Sequence, residues 1–386
     1  MNDTLPPVQS VQYPQIRRLV LSEFRSYSHL DLDVNGSMIV LSGQNGAGKT
    51  NILEALSFLS LGRGLRRADL RECGRNFDQR PVPWAVSVAL SQDEEDLQLG
   101  TGFDPAETSR KCRINRAAVG SAAAFAEYVR IVWLTPSMDG LFTGPASERR
   151  RFLDRLVLTV DSTHGARVNA LDRALRNRNR LLSEPSTDRL WLDATEREVA
   201  ELSIAVTTAR HEALARLQSL ILQEKDDSSP FPWAEISLQG EIDQLCLEHP
   251  AVIAEEKLRA LLYALRGRDA ASGRTSAGPH ISNLRVKHGP KSTDAAQSST
   301  GEQKALLTGL VLAHARLVTQ MTALAPLILL DEIAAHFDPS RREALFSSLE
   351  QSGAQVWMTG ADPTAFVHLH NRAEIFQVEQ GRVMKP

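Results

Sequence analysis

Residues Gly43-Gln44-Asn45-Gly46-Ala47-Gly48-Lys49-Thr50, followed by Asn51, carry the spacing G-x-x-x-x-G-K-[ST] of a P-loop. Its chemistry is phosphate binding. Glycines let backbone N–H groups turn inward around a β-phosphate, and the N-terminus of the following helix adds its positive dipole end. Lys49 is placed to neutralise β/γ charge, and the Thr50 hydroxyl to ligate Mg²⁺. The implied ligands are therefore a nucleotide and Mg²⁺; the loop alone does not say which nucleotide. A second cluster, Asp331-Glu332, ends the apolar run Pro326 to Leu330. Such a run reads as a buried parallel strand delivering carboxylates at its C-terminal end, where open α/β sheets bind ligands. Asp331 would hold the Mg²⁺ shell and Glu332 would orient or deprotonate the attacking water. Lys49, Asp331 and Glu332 are the candidate catalytic set. The competing readings are a chance glycine-rich turn and a strand end with two solvated acids.

A third cluster, Ser298-Ser299-Thr300-Gly301-Glu302-Gln303-Lys304, precedes an apolar helical run from Ala305 to Ala313. It resembles the signature motif of ATP-binding-cassette (ABC) ATPases through Ser299, Gly301 and Glu302. That resemblance implies a γ-phosphate contact made in trans, to a second molecule. Ser299 followed by Glu302 is also a capping box, and both readings can hold together. Asp338 resembles the D-loop of the same dimer interface. Thr359 stands where many ABC ATPases carry a switch histidine, a departure that leaves the γ-phosphate sensor unassigned.

The elements needed to position these clusters are legible around them. Ser37 to Leu41 is an apolar strand into the P-loop, and Ile52 to Leu59 is helical. Asn35-Gly36 reads as a hairpin turn within Ile16 to Val40. Trp84–Leu90, Asp96–Gly102, Cys112–Asn115 and Val129–Leu134 read as strands, the third leading into an Ala-rich helix. Glu148–Val160, Gly165–Ser183 and Leu190–Glu224 read as helices, with Ile253–Leu265 one more. In the third of these, Val199, Leu202, Val206, Ala209, Ala213, Leu217 and Leu220 recur at three and four, a stripe suited to a helical hairpin or bundle. Arg266–Gly278 reads as a mobile Gly/Ser/Arg-rich stretch.

Spacing bounds the architecture. Lys49 and Ser299 lie 250 residues apart. That exceeds the small insert of a transporter ATPase and falls short of a long coiled coil. The expected fold is an α/β, ABC-type P-loop head with an inserted, mainly α-helical lobe and no long coiled coil. The expected division is 1–143 head, 144–275 inserted lobe and 276–386 head.

The 386 residues are 42% hydrophobic and 24% charged, ordinary for a globular chain. No run approaches the roughly 20 apolar residues of a membrane span, and Met1 to Gln15 does not read as a signal peptide. Three widely spaced cysteines, Cys73, Cys112 and Cys246, suggest free thiols in a reducing cytoplasm. His368 and His370, without accompanying carboxylates or cysteines, read as surface rather than metal ligands. Net charge is −3, so bulk electrostatics do not announce nucleic acid. Locally, residues 148–180 carry nine Arg against four acids, and 63–80 six Arg against three. Either patch could contact DNA phosphates or be a solvated helix face. Arg149, Arg150 and Arg176 are the candidate DNA contacts, although Arg149 or Arg150 could instead pair with Asp154.

Several stretches together resemble one family, RecF, the bacterial recombination-repair ATPases of gap repair. Pro145-Ala146-Ser147-Glu148-Arg149-Arg150-Arg151-Phe152-Leu153-Asp154 is similar to its Pro-x-x-Arg-Arg-x-Phe-Leu-Asp pattern. Gly62 to Arg66 resembles its Gly-Arg-Ser-Phe-Arg segment with Gly64 and Leu65 replacing Ser and Phe. Gly278-Pro279-His280 fits its Gly-Pro-His-Arg-x-Asp-Leu, with Ile281 and Asn283 in place of Arg and Asp. Leu134 to Asp139 is similar to its Phe-x-Pro-Glu-Asp segment, with Ser137 and Met138 as departures. The resemblance spans roughly residues 14 to 384. It implies an ATP-driven homodimer that binds DNA at duplex/single-strand junctions, works with RecO and RecR to load RecA, and hydrolyses ATP slowly. A different ABC-type chromosome-maintenance or phage-defence ATPase, and a binding module with a vestigial ATPase, are the alternatives left open by the residues themselves.

Overall fold

The computed structural model describes residues 10–385, apart from 78–79, 93–94 and 185–187 and the side chains of 76–80, 92–95 and 335–336. The chain groups into two compact units. One holds 10–139, 228–231 and 307–385; the other holds 140–227 and 232–306.

The first unit contains two sheets. β1 (Gln15–Phe24), β2 (Tyr27–Asp33), β6 (Trp84–Gln92), β7 (Glu95–Phe103), β8 (Lys111–Ile114) and β9 (Ala117–Val119) form an antiparallel sheet in the order β2-β1-β6-β7-β8-β9. A short pair, β4 (Asn76–Phe77) and β5 (Arg80–Pro81), lies apart from it. The second sheet is built from β3 (Met38–Ser42), β10 (Ile131–Leu134), β14 (Leu327–Leu330), β15 (Val356–Gly360), β16 (Glu374–Glu379) and β17 (Arg382–Met384). Its order is β10-β14-β15-β3-β16-β17, parallel except for β17 at the edge. Every residue of β3, β10, β14 and β15 is buried, as expected of parallel strands covered on both faces. That burial explains why these strands read as unbroken apolar runs.

The hairpin turn expected at Asn35-Gly36 lies instead at Arg25-Ser26, between β1 and β2. Arg25 adopts φ 53°, and its N–H is taken by the Cys73 carbonyl, so tertiary contact rather than turn composition sets this corner. Residues 35–37 simply carry the chain from one sheet to the other. The Ala-rich segment after β8 forms β9 and then a short 3₁₀ turn, Ala122–Glu127.

The second unit is mainly helical: α2 (Ala146–Val160), α3 (His164–Ser183), α4 (Arg189–Gln223), α5 (Glu241–Glu248), α6 (Ala251–Ala264) and α7 (Arg266–Ser272). A three-stranded sheet of β11 (Ala234–Gln239), β12 (Asn283–His288) and β13 (Thr293–Asp294) joins them. The expected return to the head at 276 therefore shifts, since residues 276–306 group with this unit. The reason is strand pairing that sequence spacing does not display: β12 runs antiparallel to β11, from Ala234↔His288 to Gln239↔Asn283.

The stretch expected to be mobile, Arg266–Gly278, is instead α7 and an ordered loop. Asp269 is buried and accepts from Arg178 Nη1 at 2.7 Å. The fully buried Arg178 also donates to Glu196, Thr275 and the Leu262 carbonyl, tying α3, α4, α6 and the α7 region together. Arg210 holds Asp154 through two bonds of 2.8 Å and donates to the Pro279 carbonyl. No helix among the described residues is long and apolar enough to cross a membrane.

Candidate nucleotide site

The P-loop follows β3, and the helix it opens is α1 (Lys49–Ser57). Gly48 caps that helix at φ 115°, a conformation side chains rarely adopt. A Cβ there would stand 2.8 Å from the Tyr27 hydroxyl and 2.9 Å from Ser26 Oγ. Tyr27 in turn donates to the Gly48 carbonyl at 3.1 Å. The β1–β2 corner thus buttresses the loop from behind.

Behind α1 lies an ionic anchor that sequence reasoning missed. Glu54 is fully buried and accepts from Arg25 Nε at 2.8 Å, Arg25 Nη2 at 2.7 Å and Arg66 Nη1 at 2.8 Å. Arg66 also donates to Asn51 Oδ1 at 2.7 Å, and Asn51 Nδ2 to Ser26 Oγ at 2.8 Å. A glutamate on the inward face of a short apolar helix, with arginines in flanking segments, was the available signal.

Strand order brings the separated clusters together. β15 lies between β3 and β14, so the P-loop and Asp331 emerge on either side of Thr359. Lys49 is 3% exposed; its ammonium donates to the carbonyls of Gly43 (2.7 Å) and Gln44 (3.0 Å) and lies 3.5 Å from Glu332 Oε1. Thr50 Oγ1 donates to Asp331 Oδ1 at 2.8 Å. Thr359 Oγ1 donates to the same oxygen at 2.7 Å and accepts the Glu332 N–H at 2.9 Å. Glu332 sits in the left-handed region, φ 52° and ψ 32°. That conformation costs a non-glycine residue about 1–2 kcal/mol, and the Thr359 bond helps hold it.

The residues present fit a nucleotide with a hard divalent cation. Gln44, Asn45 and Gly46 are exposed at the loop tip, and the backbone donors at the start of α1 would meet an anion there. A threonine hydroxyl and a carboxylate in contact form an oxygen donor pair of the kind Mg²⁺ takes, and the cation would neutralise phosphate charge.

The other sequence candidates fall as follows. In the second unit, Ser299 and Glu302 form the capping box at the start of α8 (Thr300–Thr322): Ser299 N–H donates to Glu302 Oε2 at 3.1 Å, and Glu302 N–H to Ser299 Oγ at 3.4 Å. Gly301 lies in that first turn. Lys291 pairs with Glu302 and, with the Ser299 N–H, holds its carboxyl down at about 2. In the first unit, exposed Asp338 caps α9 (Pro339–Gln351) by accepting the Arg341 N–H at 2.9 Å, which lowers its pKa.

The arginine candidates separate. Arg149 donates to Asn283 Oδ1 (2.8 Å) and to the carbonyls of Gly144 (2.6 Å), Leu141 and Phe142 (3.3 Å each). Arg150 donates to the Ser282 carbonyl at 2.9 Å. Both groups are committed inside the helical unit, and neither pairs with Asp154, which Arg210 and His164 hold. Arg176 is exposed on α3 beside exposed Arg173. The departures from the family pattern also find places: Asn283 serves Arg149, Ile281 is 48% exposed, and Ser137 Oγ contacts Thr135 Oγ1 at 2.8 Å.

Comparison with known proteins agrees with this geometry. The description "RecF/RecN/SMC N terminal domain" matches residues 15–384. The DNA replication and repair protein RecF of Rhizobium meliloti is 50% identical over 370 residues, covering 95% of this chain and 98% of its own. Its counterpart in Brucella abortus is 48% identical, covering 95% of each. A solved structure of the recombination mediator protein RecF with ATP superposes with a TM-score of 0.83 at 21% identity, covering 99% of this chain and 100% of that one. The Smc head domain of Pyrococcus furiosus bound to the C-terminal domain of ScpA gives 0.51 at 17%, covering 96% and 95%. At such identities the likeness to the solved structures is one of fold. A P-loop and an Asp-Glu strand end, in a chain half identical to curated relatives along nearly its whole length, place this protein in the RecF family of ABC-type ATPases.

Proposed function

We propose that this RecF-family ATPase is an ATP-driven DNA-binding dimer of recombinational gap repair and replication restart. It binds ATP and Mg²⁺ through residues 43–51 and Asp331, with Glu332 as the base for the attacking water. Ser299, Gly301, Glu302 and Asp338 meet the nucleotide from a second copy. The assembly engages duplex/single-strand junctions in the cytoplasm and, with RecO and RecR, helps load RecA. Hydrolysis is slow and DNA-stimulated, a timer for release. The first compact unit then acts as the ATPase head and the second as the lobe that carries DNA contacts.

The observation carrying this reading is the convergence of Lys49, Thr50, Asp331 and Glu332 within one set of contacts. The relatives' description as replication and repair proteins supports the cellular role.

Sedimentation of the protein with and without ATP and gapped DNA tests the reading. ATP should produce a dimer in the wild type. Ser299→Arg should bind ATP as a monomer but fail to dimerise, because its signature serves the partner's nucleotide. Glu332→Gln should trap the ATP dimer with turnover lowered about 10²–10⁴-fold, whereas Lys49→Met should weaken ATP binding itself. A Ser299→Arg protein that dimerises with wild-type affinity removes the two-copy site.

A further inference from the structure

Thr359 occupies the middle of the three strand ends that make the site, between the P-loop strand and the Asp331 strand. Its side chain is fully buried. A hydroxyl has one proton to give, and Thr359 gives it to Asp331 Oδ1 at 2.7 Å. Its lone pair takes the Glu332 N–H at 2.9 Å. Both hydrogen-bonding directions are thus used on the two neighbouring acids. Thr50 donates to the same Asp331 oxygen, but its hydroxyl is the one expected to turn towards a bound cation. Once it turns, Thr359 remains as the donor that keeps Asp331 in place.

We propose that Thr359 is a positioning residue for hydrolysis, orienting Asp331 towards the metal and Glu332 towards water through a single hydroxyl. It acts through its neighbours rather than by touching phosphate, which a buried side chain with both bonds committed has no means to do. The Glu332 half rests on the proposed role of that residue as base, and the Asp331 half on the proposed Mg²⁺ contact of Asp331; the exchange of the Glu332 amide depends on neither.

Three readouts test the proposal, on full-length protein. Amide hydrogen exchange at Glu332 in nucleotide-free protein reports the 2.9 Å bond directly. The Mg²⁺ dependence of fluorescent-ATP binding reports Asp331. Single-turnover hydrolysis at saturating ATP reports the combined effect. Thr359→Val keeps the shape and removes both bonds. It should speed Glu332 exchange about tenfold or more, raise half-saturating Mg²⁺ several-fold and lower turnover about 10- to 100-fold. ATP affinity at saturating Mg²⁺ should stay within about threefold, since the P-loop is untouched. Thr359→Ser should restore all three. If the valine protein fails to fold, Thr359→Cys replaces it and must show the same losses relative to Thr359→Ser. The idea is overturned if a folded Thr359→Val protein retains wild-type exchange and Mg²⁺ dependence. It is also overturned if serine is as impaired as valine or cysteine, because the methyl group would then be what matters. Glu332→Gln run alongside isolates the two readings: wild-type turnover there discards the base assignment, while exchange and Mg²⁺ binding still decide Thr359.

Discussion

Replacing Glu54 by Gln tests whether the ionic anchor beneath the P-loop helix stabilises the head. The carboxylate is fully buried and accepts three short bonds from two arginines. Glutamine keeps the volume and one acceptor. It removes the charge and turns an NH₂ group towards guanidinium donors. Breaking a fully buried pair by removing one partner costs about 3–5 kcal/mol. Here the arginine side chains are 19% (Arg25) and 39% (Arg66) exposed, so both can recruit water. Discounting for that solvation leaves about 2–3 kcal/mol. In a unit of this size each kcal/mol moves Tm by about 2–4 °C, giving a drop of about 4–12 °C. Thermal unfolding by circular dichroism measures it, and the deficit should persist at about 0.5 M salt because a buried pair is screened little. A Tm within about 2 °C of wild type, or a deficit abolished by salt, refutes the reasoning.

Four further outcomes follow from the geometry. Gly48→Ala places a Cβ 2.8 Å from the Tyr27 hydroxyl at φ 115°, and should lower ATP affinity at least about tenfold in a fluorescent-nucleotide titration. Gly46→Ala, with nothing within 4 Å of its Cβ, should lower Tm less than Gly48→Ala does. The Glu302 carboxyl, held at about 2 by Lys291 and the Ser299 N–H, lies below its unfolded value near 4.5, so its contribution to stability is full above about pH 4.5 and lost as pH falls towards 2. Lys291→Met should flatten the measured stability–pH slope over that window, and an unchanged slope would show the pairing to be inconsequential. Arg176→Glu should reduce the slope of log affinity against log salt by about 0.9 for one lost duplex-phosphate contact, weakening all DNA sequences alike. An unchanged slope in a protein that still dimerises would move attention to the Arg63–Arg75 segment, where Arg63 and Arg71 are exposed.

The candidate site residues stand out in the sequence because the motifs that carry them are local. The P-loop needs adjacent glycines, a lysine and a threonine at one turn. Asp331-Glu332 needs only the end of an apolar strand, and the Ser299–Glu302 capping box closes within one helical turn. The long helices were legible for the same reason, through the three-and-four periodicity of residues such as Val199, Leu202 and Val206. What the tertiary structure decided depends on partners far apart in the chain. It moved the hairpin turn to Arg25-Ser26, assigned 276–306 to the helical unit through β11–β12 pairing, and ordered Arg266–Gly278 around Asp269 and Arg178. It also drew Arg149 and Arg150 into internal hydrogen bonds, where local charge alone left a DNA-facing role equally open. Thr359 shows the division most clearly. In sequence it is a threonine where a histidine was expected. Only the strand order places it between β3 and β14, with its hydroxyl shared by Asp331 and Glu332.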